Sequence, residues 1–284
     1  MPKKVMFKGS PMTLVGRSLK VGAVAPDFRV VDSGLKDAGL ADFKDKIKVI
    51  TFFLSLDTPV CDLQVKEFNK RASTISSDIV IVGISKDLPF AQKRFCAENE
   101  IKNVKVLSDY KYSSFGINYG LLVKELNLLA RGVLIIDKND ILRYFKVVDE
   151  LTTPPDYDGA LKNLEDIVKN PAVSPAKSGL PSKCKPCEEG TPPMPKNTID
   201  KLLAQYRGWQ LIEDKKIVKE FKLKDFAEAK YFVDLVSVMA EEQGHHPAIL
   251  LTWGKVKITL TTHAAGGLTE NDFIMAKIID EIGG

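Results

Sequence analysis

The sequence predicts an α/β layer fold over residues 1–169, with helices covering a largely buried sheet, followed by a smaller α+β domain over 184–284. Three observations point there. In the first part, apolar runs rich in β-branched and aromatic residues alternate with helical patterns, as strands buried on both faces do. Residues 170–196, NPAVSPAKSGLPSKCKPCEEGTPPMPK, hold seven of the fifteen prolines and no apolar period, which sets a Pro-rich linker at 170–183. Beyond it the pattern becomes a meander of strands with helices gathered on one face.

KVITFFLS predicts a strand ending near Ser55, and CDLQVKEFNKRAST a helix opening at about Cys61. DIVIVGIS and VKVLSD read as strands on either side of the helix PFAQKRFCAENE. RGVLIIDK and ILRYFKVV add two more strands, and YDGALKNLEDIVK a closing helix. After the linker, a helix TIDKLLAQY leads through WQLIEDKKIVKEFKL to the long helix KDFAEAKYFVDLVSVMAEEQ. The strands AILLTWG and KVKITLTT and a last helix LTENDFIMAKIIDEI follow. No internal repeat is present.

At 284 residues, 44% hydrophobic and 27% charged, the chain has the makeup of a soluble globular protein. No apolar run reaches the ~18 residues of a membrane span, and MPKKVMFKGSPM lacks the apolar core and cleavage site of a secretory signal. A cytoplasmic protein without membrane association is expected. The net charge of +4 comes from 41 basic and 37 acidic residues with no basic stripe, which argues against nucleic acid as a partner. The cysteines pair in sequence as Cys61 with Cys96 and Cys184 with Cys187, while His245, His246 and His263 all lie in the last fifth of the chain. In a reducing compartment such thiols are more often catalytic, metal-binding or buried than permanently bridged.

The stretch FFLSLDTPVCDLQVKEFNK runs a buried-looking strand straight into one cysteine at the head of a helical pattern. Only the thiolate is a nucleophile, so the thiol pKa has to fall from about 8.5. A helix N-terminus favours the negative charge, Pro59 presets the turn, and Thr58 offers a hydroxyl that can donate to sulfur or to a bound oxygen. Cys96 stands 35 residues on (96 minus 61). A second thiol close in space converts a sulfenic acid to a disulfide before further oxidation, although a helix-buried thiol is an equally good reading of Cys96 alone. Arg131, on its own, reads as a surface arginine before a strand.

With VGAVAPDF near the N-terminus, SLDTPVCDLQVKEFN, RFCAENEI and ARGVLIIDKNDILRY, residues 1 to about 168 resemble a thiol peroxidase of the peroxiredoxin family, the atypical two-cysteine kind with a thioredoxin-like fold. The resemblance implies that Cys61 attacks the peroxide oxygen, that Thr58 hydrogen-bonds thiolate and substrate, and that Arg131 stabilises the developing charge. It implies Cys96 as the resolving thiol, hydrogen peroxide or organic hydroperoxides as substrates, and thioredoxin as reductant. A guanidinium keeps its proton and presents a planar fork of donors, in keeping with that role. Joining the two sulfurs would require local unwinding of the Cys61 turn. The non-enzymatic alternative is a peroxide sensor that relays the disulfide to a partner.

In EEQGHHPAILLTW, two adjacent histidines precede a proline and a strand. Neighbouring side chains on extended backbone point to opposite sides, which is unsuited to gripping one metal ion. Two imidazoles facing one pocket can serve as general acid and base near neutral pH, though a lone histidine is more often structural. With CKPCEEGTPPM, GWQL, EEQGHHPAILLTWGKVKITLTTH and GGLTENDFIMAKIIDEI, residues from about 184 to 284 resemble a pterin-4a-carbinolamine dehydratase. That family removes water from a 4a-hydroxytetrahydropterin to give the quinonoid dihydropterin. The resemblance implies His245 and His263 as acid and base, His246 binding the ring, Asp272 fixing a histidine tautomer and Glu241 lining the pocket, with no metal and no organic cofactor. Trp209 and Trp253 are expected in the core, and Cys184 and Cys187 in an irregular, non-catalytic arm. The whole chain is then a bifunctional enzyme, expected to be at least a homodimer. In the alternative, the second domain is a non-catalytic assembly module.

Overall fold

The structure, a computed structural model, describes residues 4–72, 78–171, 183–186, 188 and 190–283. Most of the linker and Cys187 lie outside the described residues. The chain divides into two compact units, Met1–Ala176 and Lys177–Gly284.

The first unit opens with a hairpin of β1 (Lys4–Phe7) and β2 (Ser10–Val15). Its turn residues Lys8 and Gly9 both take positive φ, 51° and 77°, the twist a two-residue hairpin loop demands. Then follow β3 (Val30–Val31), β4 (Asp37–Ala38), β5 (Ile47–Phe52), α1 (Pro59–Ala72), β6 (Ile79–Ser85), α2 (Pro89–Glu98) and β7 (Val104–Ser108). The unit closes with α3 (Ser114–Asn118), β8 (Leu122–Val123), β9 (Leu128–Leu129), β10 (Gly132–Ile136), β11 (Leu142–Val147) and α4 (Tyr157–Lys169). Seven strands form one sheet in the order β11-β10-β5-β6-β7-β3-β4. β5, β6 and β7 are parallel because α1 and α2 carry the chain back between them, whereas β10 is antiparallel to β5. Every residue of β5 and β10 is buried, which their continuous apolar runs foretold. This is the expected α/β class. The N-terminal hairpin and the short strands were not legible, because two-residue strands and a Lys-Gly turn leave almost no periodicity to read.

The hairpin is tied to the segment after β11. Met6 N–H donates to the Asp149 carbonyl and Leu151 N–H to the Met6 carbonyl, both at 2.7 Å. The Glu150 carboxylate accepts from the Thr152 hydroxyl (2.8 Å) and from the N–H groups of Thr152 (3.0 Å), Lys8 (3.1 Å) and Gly9 (3.2 Å). These donors, the Thr152 hydroxyl foremost, pull its pKa from 4.5 down to about 2.

The second unit contains α5 (Lys196–Leu203), β12 (Gln210–Ile212), β13 (Lys216–Lys222), α6 (Phe226–Gln243), β14 (Ala248–Thr252), β15 (Lys255–Leu260) and α7 (Glu270–Gly283). Its sheet is antiparallel in the order β12-β13-β15-β14. The register pairs Ile217 with Leu260 and Phe221 with Val256, so the buried residues share one face, on which α6 and α7 pack. The Asp225 side chain caps α6 by accepting from Glu228 N–H, and Gly244 ends the helix at φ 61°. The α+β class is as expected. Trp209 is buried, with its indole N–H on Asp280 at 3.1 Å. Trp253 corrects the sequence reading: it is 73% exposed, because it sits with Gly254 in the turn between β14 and β15. Among the described residues no helix is long and apolar enough to cross a membrane.

Because the folded-state pKa of Glu150 is depressed, its contribution is complete above pH 4.5 and is lost as pH falls toward about 2. Hydrogen-exchange protection of the Lys8 and Gly9 amides is expected to decline across that window in the wild type. In Glu150→Gln it should be lower throughout and nearly flat with pH.

Candidate active sites

The β5 strand ends beneath a loop, residues 53–58, that turns directly into α1. Thr58 provides the first helical carbonyl, accepting from the N–H groups of Cys61 and Asp62 at 3.1 Å each. Pro59, which has no N–H to satisfy, occupies the first helical position. Cys61 therefore lies in the first turn of a fourteen-residue helix, fully buried and free of any disulfide. The Thr58 hydroxyl is 2.8 Å from Cys61 Sγ and 3.0 Å from the Ser55 carbonyl. A hydroxyl has one proton and two lone pairs. It can accept a hydrogen bond from the thiol S–H while donating to the Ser55 carbonyl, or turn its own donation to a thiolate. The neighbouring Asp62 carboxylate is paired with Lys66 at 2.6 Å, which offsets its repulsion of a negative sulfur.

Arg131 precedes β10 and is only 2% exposed. Its Nε donates to the Leu151 carbonyl (2.8 Å) and its Nη1 to Gln64 Oε1 (2.9 Å). Gln64, one turn beyond Cys61 on α1, donates in turn to Thr51 Oγ1 (2.5 Å) and the Phe52 carbonyl (3.3 Å). The guanidinium thus reaches the cysteine helix through Gln64 and makes no hydrogen bond to the sulfur. The Tyr157 phenol is pushed up chiefly by burial, with Arg131 drawing it down and Glu67 and Cys61 raising it. Sequence reading missed Gln64. Its only signal was a polar residue on the inner side of an otherwise apolar helix face.

Cys96 lies on α2, half-buried and free, and burial pushes its thiol up. The head of α2 is knotted to the Cys61 loop by Asp87, whose carboxylate accepts from Ser55 Oγ (2.6 Å), Leu56 N–H (2.8 Å) and Ser85 Oγ (2.7 Å). Gln92 fastens α2 to the sheet by donating to Ser85 Oγ (3.0 Å) and the Leu107 carbonyl (2.9 Å). Only Pro89 and Gln92 of this helix are buried.

In the second unit, Gly244 turns the chain out of α6 into His245 and His246. The β14–β15 register, Ala248 opposite Thr259, brings those histidines to the same end of the strand pair as Thr262 and His263. His263 follows β15 and begins a short 3-10 turn, His263–Ala265, closed by Gly266 at φ 62°. His245 Nε2 is 2.8 Å from Asp272 Oδ1. Asp272 is fully buried, and its other oxygen accepts from Thr262 Oγ1 and Thr269 N–H at 2.8 Å each. The Thr269 bond is half of a capping box at the head of α7. The carboxylate thus fixes the ring of His245, with Nε2 as the proton-bearing nitrogen when the imidazole is neutral. His246 points elsewhere and meets Glu241 Oε1 at 3.0 Å, both side chains exposed. The threonines holding Asp272 were missed by the sequence reading; T-x-x-D before an apolar run signals Thr269, whereas Thr262, ten residues before Asp272, has no such local mark. Cys184 is buried beside the start of α7, its Sγ 3.6 Å from the Asn271 carbonyl. Among the described residues no group of three or more His, Cys, Asp or Glu side chains is placed to hold a metal ion.

Two family profiles match this chain: Redoxin over residues 20–161 and Pterin 4 alpha carbinolamine dehydratase over 192–282. A thiol peroxidase of Bacillus subtilis is 43% identical over 166 residues, 58% of this chain and 99% of its own length. One of Staphylococcus epidermidis is 45% identical over 164 residues, again 58% and 99%. A solved structure of a peroxiredoxin-like protein from Aquifex aeolicus is 41% identical, covers 58% of this chain and 98% of the other, and superposes with a TM-score of 0.54.

Replacing Gln64 by leucine deprives Arg131 Nη1 of its acceptor inside the core. Loss of a hydrogen bond to a buried charge is worth about 1.5–3 kcal/mol. Gln64→Leu is expected to lower the opening free energy of the slowest-exchanging β5 and β10 amides by that amount in the full chain.

Proposed function

The chain belongs to the redoxin family, as a thiol peroxidase joined to a pterin 4 alpha carbinolamine dehydratase domain, and on that premise we propose that it is bifunctional. It reduces hydrogen peroxide and organic hydroperoxides at Cys61, using a thioredoxin-type dithiol as reductant. At His245 and His263 it dehydrates a 4a-hydroxytetrahydropterin. Work with free thiols and such a reductant belongs in the cytoplasm, and assembly into at least a dimer is part of the same reading.

The observation that carries the first activity is the Thr58 hydroxyl set 2.8 Å from Cys61 Sγ in the first turn of α1. The helix N-terminus and the buried Arg131 charge favour the thiolate. The sulfur attacks the terminal peroxide oxygen, the O–O bond breaks, and the departing oxygen takes a proton to leave as water or alcohol. Cys61 is left as a sulfenic acid. Cys96 then displaces its hydroxyl as water, giving an intramolecular disulfide that the external dithiol reduces. Burial holds Cys96 as the protonated thiol, so this step waits on loosening of α2 and quickens as pH rises.

The second activity rests on the His245–Asp272 pair. With Nε2–H committed to Asp272, neutral His245 presents Nδ1 as a base for the ring N–H proton. His263 then serves as the acid at the leaving hydroxyl, while His246, braced by Glu241, contacts the ring. An assembly module would have no use for a buried carboxylate dedicated to one imidazole, which favours the enzymatic reading.

Cys61→Ser is expected to abolish peroxide consumption. Cys96→Ser should consume one equivalent per chain and then stall with thioredoxin; sustained turnover in that variant would remove Cys96 from the cycle. Loss of general acid and base typically costs 10²–10⁴ in rate. His245→Ala with His263→Ala should slow carbinolamine dehydration by about that factor, followed spectroscopically on freshly generated substrate.

A further inference from the structure

The two chemistries share one intermediate. A 4a-carbinolamine carries a hydroxyl on a tetrahedral ring carbon, and the class of reaction that supplies it is cleavage of an O–O bond at that carbon. Tetrahydropterins add dioxygen there to form a 4a-hydroperoxide. If the O–O bond is reduced and the inner oxygen retained, the product is the carbinolamine. A thiol peroxidase performs that kind of reduction on hydroperoxides. We propose that the first unit reduces the 4a-hydroperoxide of a tetrahydropterin and so makes the substrate of the second unit. The inference rests on both halves of the proposed function.

The electrons and atoms balance. The Cys61 thiolate takes the terminal oxygen and the O–O bond breaks. Its electron pair passes to the inner oxygen, which gains a proton and stays on the ring carbon as the hydroxyl. Cys96 displaces the sulfenic hydroxyl as water. Hydroperoxide and two thiols thus give carbinolamine, disulfide and one water. The second unit expels the hydroxyl as a second water with loss of a ring N–H proton, leaving the quinonoid dihydropterin. Without the first unit, the same hydroperoxide collapses to quinonoid dihydropterin and free hydrogen peroxide.

The geometry around Cys61 suits a bulky hydroperoxide. Because sulfur takes the terminal oxygen, only the peroxide tip has to reach the buried thiol, and the ring system stays outside the α1 turn. Exposed apolar side chains stand on α1 and at the head of α2, the helices that carry the two cysteines. Leu88 and Phe90 at the head of α2 are 53% and 64% exposed, and Leu63 on α1 is 62% exposed. Asp87 binds Ser55 and Leu56, which holds the Leu88–Phe90 surface against the loop leading into Thr58 and Cys61. A bulky fused-ring carrier, bent at its tetrahedral carbon, can lay its ring edges on an exposed phenyl ring and two aliphatic side chains, whereas hydrogen peroxide needs none of them. Covalent joining also keeps producer and consumer of the carbinolamine at one-to-one stoichiometry.

The test uses the full-length His245→Ala chain with thioredoxin, thioredoxin reductase and NADPH. Tetrahydropterin is added in ¹⁸O₂-saturated buffer with enough catalase to suppress turnover from an enzymatic hydrogen peroxide feed of matched flux. Catalase removes free hydrogen peroxide, so carbinolamine bearing one ¹⁸O arises only by reduction of the pterin hydroperoxide. We expect it to accumulate at least fivefold above the level with the Cys61→Ser, His245→Ala chain, and to be passed on to quinonoid product by the wild type. No excess over the Cys61→Ser control, in a preparation that still turns over hydrogen peroxide and cumene hydroperoxide when catalase is omitted, overturns the inference and leaves the peroxidase reading intact. A preparation inert toward hydrogen peroxide overturns both. Labelled carbinolamine that builds up equally in the wild type supports the hydroperoxide reduction and removes the dehydratase reading alone.

Discussion

The peroxidase end of the molecule is organised around a positive charge that water cannot reach. Moving a guanidinium out of water costs several kcal/mol unless polar partners replace its hydration. Arg131 meets that requirement with an amide oxygen and a main-chain carbonyl, and no carboxylate pairs with it among the described residues. Its charge is solvated by dipoles and remains uncancelled. Through Gln64 that charge is tied to the helix whose first turn carries Cys61. Gln64 is central because it holds the guanidinium while anchored to β5. The arginine, the cysteine helix and the central strand therefore hold position together.

The second unit uses the same device with the sign reversed. Asp272 is a buried carboxylate held by a threonine hydroxyl and the first N–H of a helix cap, with one oxygen left for His245. In both units the proposed reacting group is not the buried ion but a neighbour, a thiol on the helix that Gln64 ties to Arg131 in one and the imidazole paired with Asp272 in the other. Hydroxyl and amide side chains provide the fixed dipoles, which need no reorganisation during the reaction.

The sequence displayed the candidate reacting groups more readily than their supports. Cys61, Thr58 and the histidines announce themselves because few residue types do their chemistry and each sits at a junction between two periodicities. Asp272 was also within reach, since a carboxylate three residues past a threonine at a helix start has a known local use. Gln64, Asp87 and the Leu151 carbonyl were not, because their importance comes from contacts 20 to 67 residues away along the chain, which a local pattern does not encode. Trp253 failed for a different reason. Its size suggests burial, yet a two-residue turn leaves its side chain nowhere to pack. Central strands were plain from their apolar runs, whereas β3, β4, β8 and β9, two residues long each, had no room to show a period.

The N-terminal hairpin gives the first dozen residues a weight that their position would not suggest. β1 holds the 149–151 segment by two main-chain hydrogen bonds, and Leu151 in that segment accepts from Arg131. The route from the chain terminus to the buried guanidinium is therefore only three residues deep. Here an alteration within β1 bears on the pairing of the 149–151 segment, whose Leu151 carbonyl accepts from Arg131, so a variant changed at Met6 is also a variant of the arginine's surroundings.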